Sequence, residues 1–282
     1  MATTHTYPPV GRCIYCGSTT TDLGKEHIIP FSLNGGLVLL DASCHDCEKK
    51  IQPYEMTVAR RIFGHFRILH NVQTRNKKQR PTEVQIGTLH QNGKRGIAKI
   101  SIQEHPTILI LYKFSEATFL QGLLPNIEKN TWIPLVISGK AELEKFISKY
   151  HWDRQIKFFA CPIEFARMLA KIAYSYAIAE IGIDSFQPFP MTIDTILGRT
   201  NNVCHIVGGD LEIPPPDPAG KHILTIGCLI KHPNPLLIVS IRLFPAFETP
   251  QYHVVVGYFD HQNAQHVKTF SEKMRDAQEI FP

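Results

Sequence analysis

Two Cys-x-x-Cys pairs constrain this chain more than anything else in it: CIYC at Cys13 and Cys16, and CHDC at Cys44 and Cys47. One such turn aims two sulfurs at a single ion. Two turns complete the tetrahedral thiolate set that Zn2+ favours. A loop of 27 residues separates the pairs, in a segment with too little apolar content to fold well without a staple. The opening MATTHTYPPV has no basic stretch followed by an apolar core, so a secretory signal is not expected. No apolar run approaches the roughly 18 residues of a membrane span. The expected location is therefore cytoplasmic, where thiols stay reduced and paired cysteines read as metal ligands rather than disulfides. Cys161, Cys204 and Cys228 lie in apolar surroundings and are expected in the core.

With 43% hydrophobic and 20% charged residues, the chain of 282 residues has room for one large domain or two smaller ones. Residues 1–58 form the expected metal-stapled unit. Residues 59–81 read as a basic helix and linker, and 82–282 as a second domain. After Cys47, Met56, Ala59, Ile62, Phe63 and Phe66 recur at helical spacing, with Pro53 expected to delay the helix or kink it. Beyond Thr82, VQIGTL, IAKISI and TILILYKF are short β-branched runs typical of strands. Helices are expected over GKAELEKFISKY and PIEFARMLAKIAYSYAIAEIG. The second opens at Pro162, stops at Gly182, and carries Phe165, Met168, Leu169, Ile172 and Tyr176 on one face. HILTIGCLI and LLIVSIRLF read as a hairpin around KHPNP, YHVVVGYF as a further strand, and IPPPDPAG as a loop. The fold class expected is α+β with a mainly antiparallel sheet in the larger part.

Between the thiol pairs lies KEHIIPFSLNGG, which sets Glu26 beside His27. Four thiolates already close a structural zinc site, so His27 is not needed for it. In a strand the two side chains point to opposite faces, although a distorted strand end brings both onto one phosphate. The pair suits phosphodiester hydrolysis: a neutral imidazole takes a proton from water near pH 7, and a carboxylate holds a hard divalent cation.

Cys-x-x-Cys, then EHIIP, then Gly-Gly, then Cys-x-x-Cys resembles the HNH endonucleases, over about residues 12–58. The resemblance implies a ββα-metal unit clamped by zinc on Cys13, Cys16, Cys44 and Cys47. It further implies His27 as general base, Glu26 as a ligand of a catalytic Mg2+ or Mn2+, and 5′-phosphate and 3′-hydroxyl products. The family often places Asn or His just after the last cysteine as second metal ligand. Here Glu48 stands there, with His45 and Glu55 as the other candidates. The family's middle Asn has no clear counterpart in GLVLLDAS, and Asn34 lies too close to the Pro30 turn to fill that place.

Arg60, Arg61, Arg67, Arg75, Lys77, Lys78 and Arg80 follow the metal unit. Alone they read equally as a solvated face and linker. Beside such a centre they are expected to contact nucleic-acid backbone. The expected function is thus a metal-dependent endonuclease acting on DNA, with RNA as alternative substrate, and by analogy in phage defence or a mobile element. The rival is a non-catalytic zinc module that docks onto nucleic acid or protein. In the second domain no motif converts into chemistry: Gly208-Gly209-Asp210 reads as a turn, and His222, His232 and His253 lack metal-ligand spacing.

Overall fold

The computed structural model describes residues 4–19, 22–72, 80–90, 92–125, 131–152, 160–218, 222–229 and 234–258. The zinc-motif segment begins with β1 (His5–Pro9), β2 (Gly24–His27) and β3 (Leu37–Ser43). They form a sheet in the order β1-β3-β2, with β1 parallel and β2 antiparallel to β3. The Phe31–Leu33 turn between β2 and β3 closes on Asn34 in a left-handed conformation. A Cβ on Gly35 would sit 1.8 Å from the carbonyl oxygen of Ile29, which is why the turn needs glycine there. Helix α1 (His45–Arg61) follows directly, and the short α2 (Gly64–Leu69) continues it.

Pro53 neither delays nor breaks α1, which starts at His45 and runs through it. The proline lies on the exposed face of the helix, where a missing hydrogen bond costs least. The buried stripe is Cys47, Ile51, Tyr54 and Val58, a register fixed by the clamp. Met56, expected on the apolar face, is 40% exposed.

The remainder is mixed α and β, as expected, and every strand pair in it is antiparallel. β4 (Glu83–Leu89) pairs with β5 (Arg95–Ser101), and β6 (Ile108–Lys113) with β7 (Thr131–Val136). Helix α3 (Lys140–Tyr150) lays Phe146 against Ile86 and Ile100 of the first hairpin, forming a small satellite core. Helix α4 (Pro162–Ile181) has Pro162 in its first turn and Gly182 at its end with φ +88°. After β8 (Gln187–Pro188) and α5 (Pro190–Ile196) come β9 (Val207–Gly209), β10 (His222–Leu229), β11 (Leu236–Leu243) and β12 (Gln251–Tyr258). These strands form one five-stranded sheet in the order β10-β11-β12-β8, with β9 also on β12. Residues 230–233 of the expected hairpin turn lie outside the described residues.

Two expectations change here. Gly208 and Gly209 belong to β9, not a turn; a Cβ on Gly208 would lie 2.4 Å from the amide nitrogen of Ala117, so close backbone approach demands glycine. And α4 is not one-faced. Besides Phe165, Met168, Leu169 and Ile172, it buries Ala166, Ala170, Ala173 and Ala177 around its circumference, while Tyr176 is only half-buried. It packs against α1 as well as against β11 and β12, so most of its circumference is buried. Cys161 and Cys204 are buried as expected, and Cys228 is partly so.

Candidate metal clamp and charged cleft

The first knuckle turns because Gly17 adopts φ +75° and its amide donates to Cys13 O at 2.8 Å. The second is the start of α1, where Cys44 is the N-cap and the Cys47 amide donates to its carbonyl at 3.1 Å. The four Sγ atoms all lie within 4.8 Å of one another, with Cys16 and Cys44 at 3.6 Å. That spacing matches thiolates around one Zn2+, whose Zn–S bonds of about 2.3 Å place sulfurs nearly 4 Å apart. The residues therefore fit a structural zinc ion. Burial pushes the Cys13 and Cys47 thiols up; at Cys44 burial pushes up too, but hydrogen bonds with Cys47, Cys13 and Cys16 together bring the thiol down.

β2 delivers Glu26 and His27 to opposite sides of its strand end, as alternation requires. Glu26 turns inward and is 7% exposed; His27 is half-buried, with its ring 5.8 Å from that of Phe31. Both line a cleft of about 840 Å³. Helix α1 supplies Glu48, Gln52 and Glu55 to the same cleft, spaced so that they share one helical face. Arg60, Arg67 and Arg80 form its basic wall. Arg67 donates to the carbonyl of Ala59 at 3.2 Å, and Arg80 to Asn71 Oδ1 at 2.5 Å and to the carbonyl of Val72. Burial, and then the nearness of Arg80 and Arg60, pulls the Arg67 guanidinium down.

Arg61 does not line the cleft, and Arg75, Lys77 and Lys78 lie outside the described residues. His45 is away from the cleft too; its Nδ1 is 4.0 Å from Glu48 Oε2, and both side chains are well exposed. His222 donates from Nε2 to the Leu33 carbonyl at 2.7 Å and so pins the turn after His27. His253 lies between Ser240 and Asp210 on the far sheet, and His232 is outside the described residues.

The residue that the sequence analysis missed is Lys171. It sits on α4, is 1% exposed, and its Nζ lies 2.5 Å from Glu26 Oε1 and 3.0 Å from Glu55 Oε1. It also donates to the backbone carbonyl of His27. Burial alone would lower the Lys171 ammonium, but Glu26 and Glu55 outweigh it and hold its pKa above the ordinary value. Burial raises the Glu55 carboxyl against the pull of Lys171. The Tyr15 and Tyr54 hydroxyls are pushed up as well, chiefly by burial and then by the same carboxylates. One signal in the sequence marks Lys171: a lone cation inside MLAKIAYSYA, where an apolar helix has no place for one without a partner.

Among the described residues, three or more His, Cys, Asp or Glu ligand atoms converge to within 4.8 Å only at the four cysteines. No helix there is long and apolar enough to cross a membrane. No protein-family model, no curated protein and no solved structure matches the chain.

Proposed function

We propose that the protein is an endonuclease of HNH type that hydrolyses phosphodiester bonds in DNA, with RNA as alternative substrate. One observation carries the reading: Glu26 and His27, at the end of β2 in a strand-strand-helix unit beside the four cysteines, open onto a cleft walled by arginines. The guanidiniums hold the backbone phosphates on either side of the scissile bond. His27 takes a proton from a water at the cleft rim as the oxygen attacks phosphorus in line. The new P–O bond replaces the bond to the 3′ oxygen, which leaves as an alkoxide and is protonated to give a 3′-hydroxyl and a 5′-phosphate. Zinc on the four thiolates fixes β2 and β3 to α1 and takes no part in the reaction.

The catalytic Mg2+ or Mn2+ implied by the resemblance does not fit the carboxylates as they stand. Glu26 and Glu55 are both engaged by Lys171, and the exposed Glu48 joins no ligand cluster with them among the described residues. No step above is therefore routed through such an ion. The same ion pairs favour a second reading, a zinc module that binds nucleic acid without cutting it. A nicking assay on supercoiled plasmid separates the two. His27→Ala is expected to abolish nicking while zinc content, melting temperature and DNA affinity stay at wild-type values. Wild type and variant equally inert on DNA and RNA, across several divalent ions, would leave the binding module as the answer.

A further inference from the structure

Lys171 has no part in the hydrolysis just described, yet its position is costly. An ammonium at 1% exposure loses its hydration, and it is tolerated only because the carboxylates of Glu26 and Glu55 and the carbonyl of His27 surround it. Two carboxylates and a carbonyl are hard oxygen donors, the set that Mg2+ or Mn2+ takes. An ammonium and a divalent ion cannot share these oxygens, because like charges that close repel strongly in a dry interior. The lysine also comes from far along the chain, on α4, and reaches the strand end that carries His27.

We propose that Lys171 Nζ is the resident cation of this site, standing on Glu26 and Glu55 in place of a divalent ion. Although it lines the cleft, Lys171 is 1% exposed and its ammonium is taken up by Glu26, Glu55 and the His27 carbonyl, so it is a positioning residue. It fixes Glu26 and Glu55 on the cleft floor and holds the His27 backbone so that the imidazole faces the rim. The inference deepens the reading of this cleft as a phosphodiester-cleaving site, but its test reads ion binding and folding rather than cleavage.

The test is a Mn2+ titration of the zinc-loaded full-length chain, followed by electron paramagnetic resonance and by thermal melting. Wild type is expected to bind no Mn2+ in a manner that depends on Glu26 or Glu55, and millimolar Mn2+ leaves its melting temperature unchanged. Lys171→Met removes the ammonium. It is expected to gain one Mn2+ site, at least about tenfold tighter than any on wild type, and to melt higher with Mn2+ than without. The triple variant Glu26→Gln, Glu55→Gln, Lys171→Met loses that site and its Mn2+ response. Where Lys171→Met does not fold alone, its recovery on refolding in Mn2+ is the same readout. Wild type that binds Mn2+ through Glu26 and Glu55 overturns the proposal, whether or not it cuts DNA. So does a Lys171→Met chain that neither binds Mn2+ nor is rescued by it. A chain inert in the nicking assay that still gives the expected ion result removes the nuclease reading and leaves this one standing.

Discussion

At the scale of single residues, His105 shows how packing sets a protonation state. It is 8% exposed, and its ring meets those of His65, Phe146 and Trp152 at centroid distances of 4.5, 5.3 and 6.0 Å. Nδ1 lies 2.7 Å from the carbonyl of Pro106, which only accepts, so Nδ1 carries the proton of the neutral ring. Burial, and secondarily His65, brings its pKa down to about 4. Unfolded, a histidine titrates near 6.5. Between those values the unfolded chain holds a proton that the folded chain does not. This contribution to stability is therefore complete above about pH 6.5 and is lost as pH falls through about 4. Urea unfolding of wild type should lose about 2 kcal/mol from this group between pH 7 and pH 4.5. His105→Phe, which keeps the ring contacts, should lose that much less over the same interval. Equal pH dependence in the two proteins would show that His105 titrates normally. Because His65 lines the cleft while touching His105, the same packing supports the wall near Arg67.

At the scale of elements, α1 does most to assemble the site. Its first turn holds Cys47 and presents Glu48 to the cleft, its middle presents Glu55, and its end carries Arg60. Arg60 and Arg61 are both exposed, but only Arg60 lines the cleft. Arg60→Ala should therefore lower the slope of log affinity for duplex DNA against log salt by about 0.9. Arg61→Ala should leave that slope nearly unchanged, and equal effects on titration by fluorescence anisotropy would mean that DNA does not lie along the cleft. The cysteine turns and the bounds of α4 at Pro162 and Gly182 were legible in the sequence, because cysteine spacing and helix punctuation are local signals. The start of α1 at His45 was not. Proline penalises a helix interior, but the helix is carried by the clamp at Cys44 and Cys47 and by burial of Ile51, Tyr54 and Val58. Gly208 misled for a related reason: its glycine answers to Ala117, far away in sequence, rather than to a turn of its own. Lys171 was the hardest to place, since its partners lie on β2 and α1 and no spacing links them to α4.

At the scale of the whole molecule, one continuous apolar core runs from Cys13 and Ile28 through Phe63 and Leu169 to Val254. Polar contacts cross the same seam. Tyr174 donates to the Ile14 carbonyl at 3.0 Å, His222 to that of Leu33 at 2.7 Å, and Tyr7 to Glu180 at 2.5 Å, while Arg12 pairs with Asp184. Without the rest of the chain the zinc-motif segment loses Phe244 and Phe247 from Phe63 and Phe66, and Glu26 and Glu55 lose their cation. A fragment of residues 1–72 should still take up zinc, since all four thiols lie within it. It should not fold into a packed unit, because a segment this short has no second layer to bury its apolar face. The expected outcome is one zinc per chain with weak near-ultraviolet dichroism and no cooperative thermal transition. A sharp transition and wild-type dichroism in the zinc-loaded fragment would mean that the clamp alone organises the segment, and that α4 and Lys171 are dispensable to the cleft. Adding residues 160–258 in trans tests the same point from the other side: if α4 completes the core, the two pieces together should regain the transition that neither shows alone.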